Sequence, residues 1–202
     1  MKKTEGLLFI VSAPSGAGKT SMCRALTDSV DNLVHSISYT TRKPRPGEMD
    51  GRDYFFVTEE RFRDMVRAGD FAEWAQVHAN LYGTSRRVLD DLKTKGIDVI
   101  LDIDTQGARQ IKDKNEIAVF VFIMPPSLSI LEERLRNRNS DDEPEIAKRM
   151  HRAHEEINDY AMYDYIVVNR DFERALGELR SIVIAERCRT RLIDETWIKG
   201  LL

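Results

Sequence analysis

The chain has 202 residues, 42% hydrophobic and 32% charged, with 31 Lys and Arg against 34 Asp and Glu and a formal net charge of −3. The apolar share supplies a core and excludes a disordered chain, while the acidic balance argues against a general nucleic-acid binder, which is usually basic. The two cysteines, Cys23 and Cys188, stand far apart and in no metal-ligand spacing, which argues against a disulfide framework or a zinc site and for reduced thiols in a cytoplasmic protein.

Met1-Lys2-Lys3 ahead of Leu7-Leu8-Phe9-Ile10-Val11 has the outline of a secretory signal. The apolar run is shorter than the roughly 7–15 residues of an h-region, and a glycine-rich loop follows it instead of a cleavage site. It reads as a buried parallel strand. No stretch approaches the roughly 20 apolar residues of a membrane span, so no membrane partner is expected. Lys19 to about Val30 reads as a helix. From about Ser36 to Arg86 the character changes. Turn signals (Lys43-Pro44, Pro46-Gly47, Asp50-Gly51) separate short aromatic runs such as Tyr54-Phe55-Phe56-Val57, with a short helix at Glu59 to Ala68, and the segment reads as an insertion.

Val88 to Lys95 is expected to be helical, with Gly96 as its stop. Val99 to Ile103 is a second buried strand, and Ala118 to Met124 a third, ended by Pro125-Pro126. Leu128 to Arg138 is a helix with Ser127 as its cap. Asn139 to Pro144 is a polar loop, Glu145 to Tyr160 a helix, Tyr165 to Val168 a strand, and Asp171 to about Arg191 a long final helix. The tail carries Trp197-Ile198 and Leu201-Leu202, which fit a core or a contact with a second copy, so a homo-oligomer stays open. Strands alternating with helices predict an α/β fold with a parallel sheet.

The first strand runs into Ala13-Pro14-Ser15-Gly16-Ala17-Gly18-Lys19-Thr20. The pattern that holds nucleotide phosphates is G-x-x-x-x-G-K-[ST], and its last three positions match; Ala13 replaces the first glycine at little steric cost. Strand, loop and helix follow in the required order. Successive backbone N–H groups then form an anion nest at a helix N-terminus. Lys19 can reach the outer phosphates and the Thr20 hydroxyl can ligate Mg²⁺. The competing reading, a plain turn with a solvated lysine, leaves the order unexplained. Asp102-Ile103-Asp104 at the end of the next strand supplies an acid to orient Mg²⁺. Asp104-Thr105-Gln106-Gly107 also fits the D-x-x-G of GTPases, but no Asn-Lys-x-Asp guanine-reading motif accompanies it.

Within the insertion, Arg42, Arg45 and Arg52 cluster in sequence with Ser38, Tyr54 and Tyr82. Guanidinium forks and hydroxyls are what a phosphate monoester needs, although a solvated basic loop would have the same composition. Glu73 stands in Phe71-Ala72-Glu73-Trp74-Ala75. A carboxylate there can accept from a guanine N1–H and exocyclic amine, which adenine lacks as a pair. The alternative is an exposed acid at a helix end.

These residues resemble the guanylate kinase family over nearly the whole chain. The resemblance rests on Ser12 to Lys19, Thr40-Thr41-Arg42-Lys43-Pro44-Arg45-Pro46-Gly47-Glu48, Gly51-Arg52-Asp53-Tyr54, Glu73-Trp74-Ala75, Tyr82-Gly83-Thr84 and Ile100 to Gly107. It implies a P-loop nucleoside monophosphate kinase fold. A parallel-sheet core (1–35, 86–125 and 160–202) would carry an inserted GMP-binding domain (36–85) and a mobile lid with flanking helices (126–159). It implies ATP and GMP or dGMP as substrates and Mg²⁺ as cofactor, with ADP and GDP as products. Ser38, Arg42, Arg45, Tyr54 and Tyr82 would grip the GMP phosphate, and Glu73, Thr84 and Asp104 would read the base. Ala13 to Thr20 would hold ATP with Asn169 near the adenine, and Thr20 and Asp102 would serve the metal. Lys19, Arg42, Arg134, Arg138 and Arg149 would neutralise the transferring phosphoryl group. The turn Asn139-Ser140-Asp141-Asp142-Glu143-Pro144 departs from the Arg-Gly-Thr-like turn of many members.

Such a reaction needs no protein nucleophile or general base, because the acceptor phosphate is already ionised. Accordingly Cys23, His35, His78, His151 and His154 receive no catalytic role, and His151 and His154 are expected on a helix face. Two rivals stay in view: a non-catalytic module of this family that binds a phosphorylated peptide, and a P-loop kinase for another acceptor. The intact Lys19 and Thr20 argue against the first, and Glu73 with Tyr82-Gly83-Thr84 against the second.

Overall fold

The structure is a computed structural model and describes residues 5–77, 79–137, 142–193 and 195–200. In chain order the elements are β1 (Leu8–Ser12), α1 (Lys19–Ser29), β2 (Leu33–His35), β3 (Tyr39–Thr40), β4 (Phe55–Phe56), α2 (Glu59–Ala68), β5 (Phe71–Val77), β6 (Asn80–Ser85), α3 (Arg86–Thr94), β7 (Asp98–Asp102), α4 (Thr105–Asp113), β8 (Val119–Met124), α5 (Leu128–Arg136), α6 (Glu143–Asn158), β9 (Tyr165–Val168), α7 (Phe172–Arg187) and α8 (Glu195–Lys199).

Five strands form a parallel sheet in the order β2-β7-β1-β8-β9. All five residues of β1 are buried, as expected for a central strand covered on both faces. Its side chains alternate between two cores. Phe9 and Val11 pack with Met22, Leu26, Val121 and Leu179 on the side of α1 and α7. Leu8 and Ile10 pack with Leu101, Phe120, Phe122, Ala108 and Ile111 on the side of α4. The period-two pattern of a strand forces this division. The α/β expectation with a parallel sheet is therefore borne out.

The register decides where chemistry can occur. Val11 of β1 lies opposite Asp102 of β7. The loop after β1 and the acids after β7 thus emerge side by side at the carboxyl ends of adjacent strands, where open α/β sheets bind ligands. Residues 36–85 contribute a second sheet, β4-β3-β6-β5. It covers its own small core of Phe62, Met65, Phe71 and Leu81, in which the Phe62 and Phe71 rings stack 4.5 Å apart.

Several local expectations meet the structure with small offsets. The Ser127 side chain accepts from Ile130 N–H and caps α5, which ends at Arg136. Gly96, at φ 71°, follows α3, which starts earlier than expected because the Ser85 hydroxyl caps it. Helix α6 starts at Glu143, where Asp142 caps it and Pro144 occupies the first turn, a position that costs no hydrogen bond. Helix α7 stops at Arg187, short of Arg191, and a 3-10 turn takes Thr190–Leu192. Elements absent from the sequence reading are β2, β3, the pair β5 and β6, α4 and α8. Arg138, His78, Leu201 and Leu202 lie outside the described residues.

Asp98 is a buried acid that ties the last helix to the sheet. It accepts from Leu7 N–H at 2.6 Å and from Arg187 Nε at 2.7 Å, while Arg187 also donates to the Asp31 carbonyl. Removing the Asp98 carboxylate leaves the buried Leu7 N–H unpaired and takes the charge partner from the half-buried Arg187. Asp98→Ala is expected to cost about 3 kcal/mol of unfolding free energy. Urea denaturation followed by circular dichroism reads it; a loss below about 1 kcal/mol contradicts this account.

Candidate active site

The two sheets bound a cleft of about 660 Å³. Its walls include Ala13, Pro14, Ser15, Gly16, Gly18, Lys19 and Thr20 on one side and Ser38, Arg52, Tyr54, Glu73 and Tyr82 on the other. Asp102, Asp104 and Glu156 complete it.

The loop owes its shape to Gly16 and Gly18, whose φ values of 94° and 93° lie in the left-handed region. A Cβ on Gly18 would also stand 2.7 Å from the Asn169 amide nitrogen. That amide donates to the Ala17 carbonyl at 2.7 Å, so the buried Asn169 braces the loop from behind. The same residue's carbonyl accepts from Arg134 at 3.0 Å. Ala13 is itself buried, so its methyl packs where the pattern has glycine.

Lys19 Nζ lies 2.6 Å from Asp102 Oδ1 and donates to the Ile103 carbonyl at 2.9 Å. Burial alone would lower the ammonium pKa; the charge and hydrogen bond of Asp102 outweigh it, and the net shift is upward. Thr20 Oγ1 donates to Asp102 Oδ2 at 2.8 Å, so hydroxyl and carboxylate stand together. This pair of hard oxygen donors suits Mg²⁺, which keeps several waters and takes one or two side-chain oxygens beside phosphates. Among the described residues no group of three or more His, Cys, Asp and Glu forms a metal cage.

Glu73 is not an exposed acid at a helix end. It sits on β5, 3% exposed, opposite Thr84 of β6. Thr84 Oγ1 donates to Glu73 Oε1 at 2.5 Å. Burial, helped by the nearby Asp104 charge, pushes the Glu73 carboxyl up to about 7, against the opposing pull of the Thr84 hydrogen bond. Asp104 caps α4, accepting from Gly107 N–H at 2.9 Å and from Gln106 Nε2 at 3.2 Å. A carboxylate has about four acceptor positions, so both acids retain lone pairs for a ligand.

The arginines are distributed unevenly. Arg42 forms a bidentate pair with Glu48 at 2.8 and 2.9 Å and donates to the Lys43 carbonyl. The Tyr82 hydroxyl is a further hydrogen-bonding neighbour of this guanidinium. The guanidinium lies 5.3 Å from the Tyr54 ring centre. Arg45 is exposed, with its backbone N–H on Glu48. Arg149 Nε is 3.9 Å from Glu145 on the preceding turn. Among the described residues lining the cleft, Arg52 and Arg24 are the arginines present; Arg42, Arg45, Arg134 and Arg149 stand outside its wall.

Two participants escaped the sequence reading. The Gln110 amide grips the Trp74 backbone in both directions, at 3.2 and 2.6 Å, and so clamps β5 against α4. Glu156 of α6 accepts from the Ser15 backbone, and burial raises its carboxyl to about 7. Neither residue type announces such a contact over that sequence distance. Cys23 is buried, its thiol pushed up by burial and by Asp102, which makes it a poor nucleophile. His151 is largely exposed on α6, as expected.

The family model described as "Guanylate kinase" matches residues 5–186. A guanylate kinase of Geobacter metallireducens is 54% identical over 194 residues, covering 96% of both chains. That of Escherichia coli K12 is 50% identical over 187 residues, covering 92% of this chain and 90% of its own. A crystal structure of guanylate kinase from Anaplasma phagocytophilum superposes with a TM-score of 0.79 at 34% identity, covering 95% of this chain and 92% of that one. Among the described residues no helix is long and apolar enough to cross a membrane. The chain belongs to the guanylate kinase family.

Proposed function

We propose that this protein transfers the γ-phosphoryl group of ATP to GMP, and also to dGMP, giving ADP and GDP or dGDP, in the cytoplasm. Phosphorylation of GMP at the expense of ATP is the activity of the family. One observation carries the reading for this chain: Glu73, held by Thr84, and Asp104 line the same cleft as the phosphate loop. That puts acceptors suited to a guanine edge across from donors suited to a triphosphate.

The division of labour follows from the geometry. Loop N–H groups and Lys19 take the ATP phosphates. Arg42, with Arg45, Ser38, Tyr54 and Tyr82, takes the acceptor phosphate. Thr20 and Asp102 would hold Mg²⁺, which would supply positive charge to offset that of the phosphates. Arg134, Arg138 and Arg149 belong to a lid, 126–159, that moves over the 1–35, 86–125 and 160–202 core and the 36–85 insertion. Asn169 acts through the Ala17 carbonyl it holds, as well as near the adenine. Closure brings the arginines inward and keeps water from the γ-phosphorus. The acceptor oxygen attacks in line, and catalysis is positioning plus charge neutralisation.

A turnover assay with ATP, Mg²⁺ and each of GMP, dGMP, AMP, CMP and UMP tests this. GMP is expected to exceed AMP in kcat/KM by about 10⁴-fold, because a site that hydrogen-bonds its ligand rejects the analogue lacking those groups by that order. Equal use of AMP refutes the guanine assignment, and no turnover with any acceptor refutes the enzyme.

A further inference from the structure

The segment Asp104-Thr105-Gln106-Gly107 carries a D-x-x-G spacing that the GTPase reading cannot use. We infer that Gly107 is a specificity-determining positioning residue: it is the point at which the two base-reading acids are set relative to one another. This rests on the guanine assignment above.

Two contacts meet at this residue. Its N–H donates to Asp104 Oδ1 at 2.9 Å, which fixes one carboxylate. Its missing side chain makes room for the other. A Cβ built there would stand 2.5 Å from Glu73 Oε2, 3.2 Å from Glu73 Cδ and 3.3 Å from Ile103 Cδ1. The first distance is far inside van der Waals contact, so one of the two groups must move. Gly107 lies in the first turn of α4 with its backbone held by the cap, and α4 is clamped to β5 by Gln110. The carboxylate of Glu73 is the movable end. It is already held on its other side by Thr84 Oγ1 at 2.5 Å, so it yields by leaving that bond. The space around Glu73 is therefore closed by a hydroxyl on β6 and by an absence of atoms on α4.

The need for glycine here is steric, since Gly107 is buried within the helix and shows no positive φ. Alanine is the better helix former at such a position. The gain in helix propensity offsets part of the cost of the overlap, so Gly107→Ala is expected to stay folded while damaging base recognition. This separates recognition from folding, which most buried substitutions confound.

The test uses Gly107→Ala in the full chain beside wild type, with GMP and IMP as acceptors. IMP lacks the exocyclic amine that a carboxylate accepts from. The variant is expected to raise KM for GMP at least tenfold, leave KM for ATP within twofold, narrow the GMP-to-IMP ratio of kcat/KM, and unfold in one cooperative transition above the assay temperature. An unchanged KM for GMP and an unchanged ratio overturn the inference. So does a variant that fails to fold or loses ATP and GMP affinity alike, since Gly107 would then serve the fold. Failure of wild type itself to distinguish GMP from IMP overturns the guanine assignment instead, so the two failures are told apart.

Discussion

Replacement of Lys19 by alanine is expected to lower kcat about a thousandfold while the protein stays folded. The ammonium sits where triphosphate charge must be met, and one aimed donor in a water-poor site is worth about 10²–10³ in rate. A full positive charge at the transferring group belongs at the upper end, about 4 kcal/mol of barrier. Stability should change far less. The side chains of Lys19 and Asp102 keep 19% and 11% exposure, and Asp102 retains the Thr20 hydroxyl and His35 Nε2 at 3.8 Å as neighbours. A coupled assay of ADP formation beside a thermal melt reads both quantities. Wild-type kcat in a folded variant would remove Lys19, and with it the phosphate-loop assignment, from the mechanism.

Glu73→Gln is expected to lower kcat/KM for GMP about a thousandfold with KM for ATP unchanged. The amide keeps the shape and the Thr84 bond but brings its own donors to face the donors of guanine. A buried polar clash of this kind costs several kcal/mol. Burial also sets a pH dependence. The Glu73 carboxyl is pushed from 4.5 up to about 7, and only its ionised form accepts from both guanine donors. KM for GMP should therefore fall as pH rises from 6 to 8 and level above that. The acceptor phosphate titrates in the same range, so the informative quantity is the difference between wild type and variant, whose Glu73 component vanishes.

Stability moves the opposite way. The folded carboxyl holds its proton to a higher pH than the unfolded chain, so the proton-bound fold is favoured between 4.5 and about 7. Fold stability from this group is full below the unfolded value and is lost as pH rises through the folded one, by about 3 kcal/mol in total. Glu156 shifts in the same direction and stays in both proteins. Glu73→Gln should consequently melt higher than wild type at pH 8 and alike at pH 4.5. An equal melting temperature at pH 8 would mean that Glu73 is not held against its charge.

Much of the donor half was readable because it is local. A buried apolar strand, a glycine loop and a helix occupy neighbouring residues, and their order is itself the signal. Helix caps at Ser127 and strand β9 were legible for the same reason. The acceptor half was legible in composition and in family resemblance, but not in geometry. Arg42 reads as a free phosphate ligand until Glu48, six residues on, takes two of its donors. Helix α4 went unread because its first turn looks like another motif, whose aspartate is in fact its cap.

The sequence by itself determined the parallel α/β architecture, the phosphate loop with Lys19 and Thr20, and the residue types that a guanine and a phosphate monoester require. These depend on periodicity, on backbone chemistry and on contacts within a few residues. The tertiary structure alone decided that Glu73 is a buried strand residue rather than an exposed helix end, that Asn169 braces the loop, and that Gly107 borders the Glu73 carboxylate. Each depends on residues 11 to 152 positions apart brought within a few ångströms. Register between strands and docking of helix on sheet set such distances, and both are settled by packing of the whole core rather than by any local pattern.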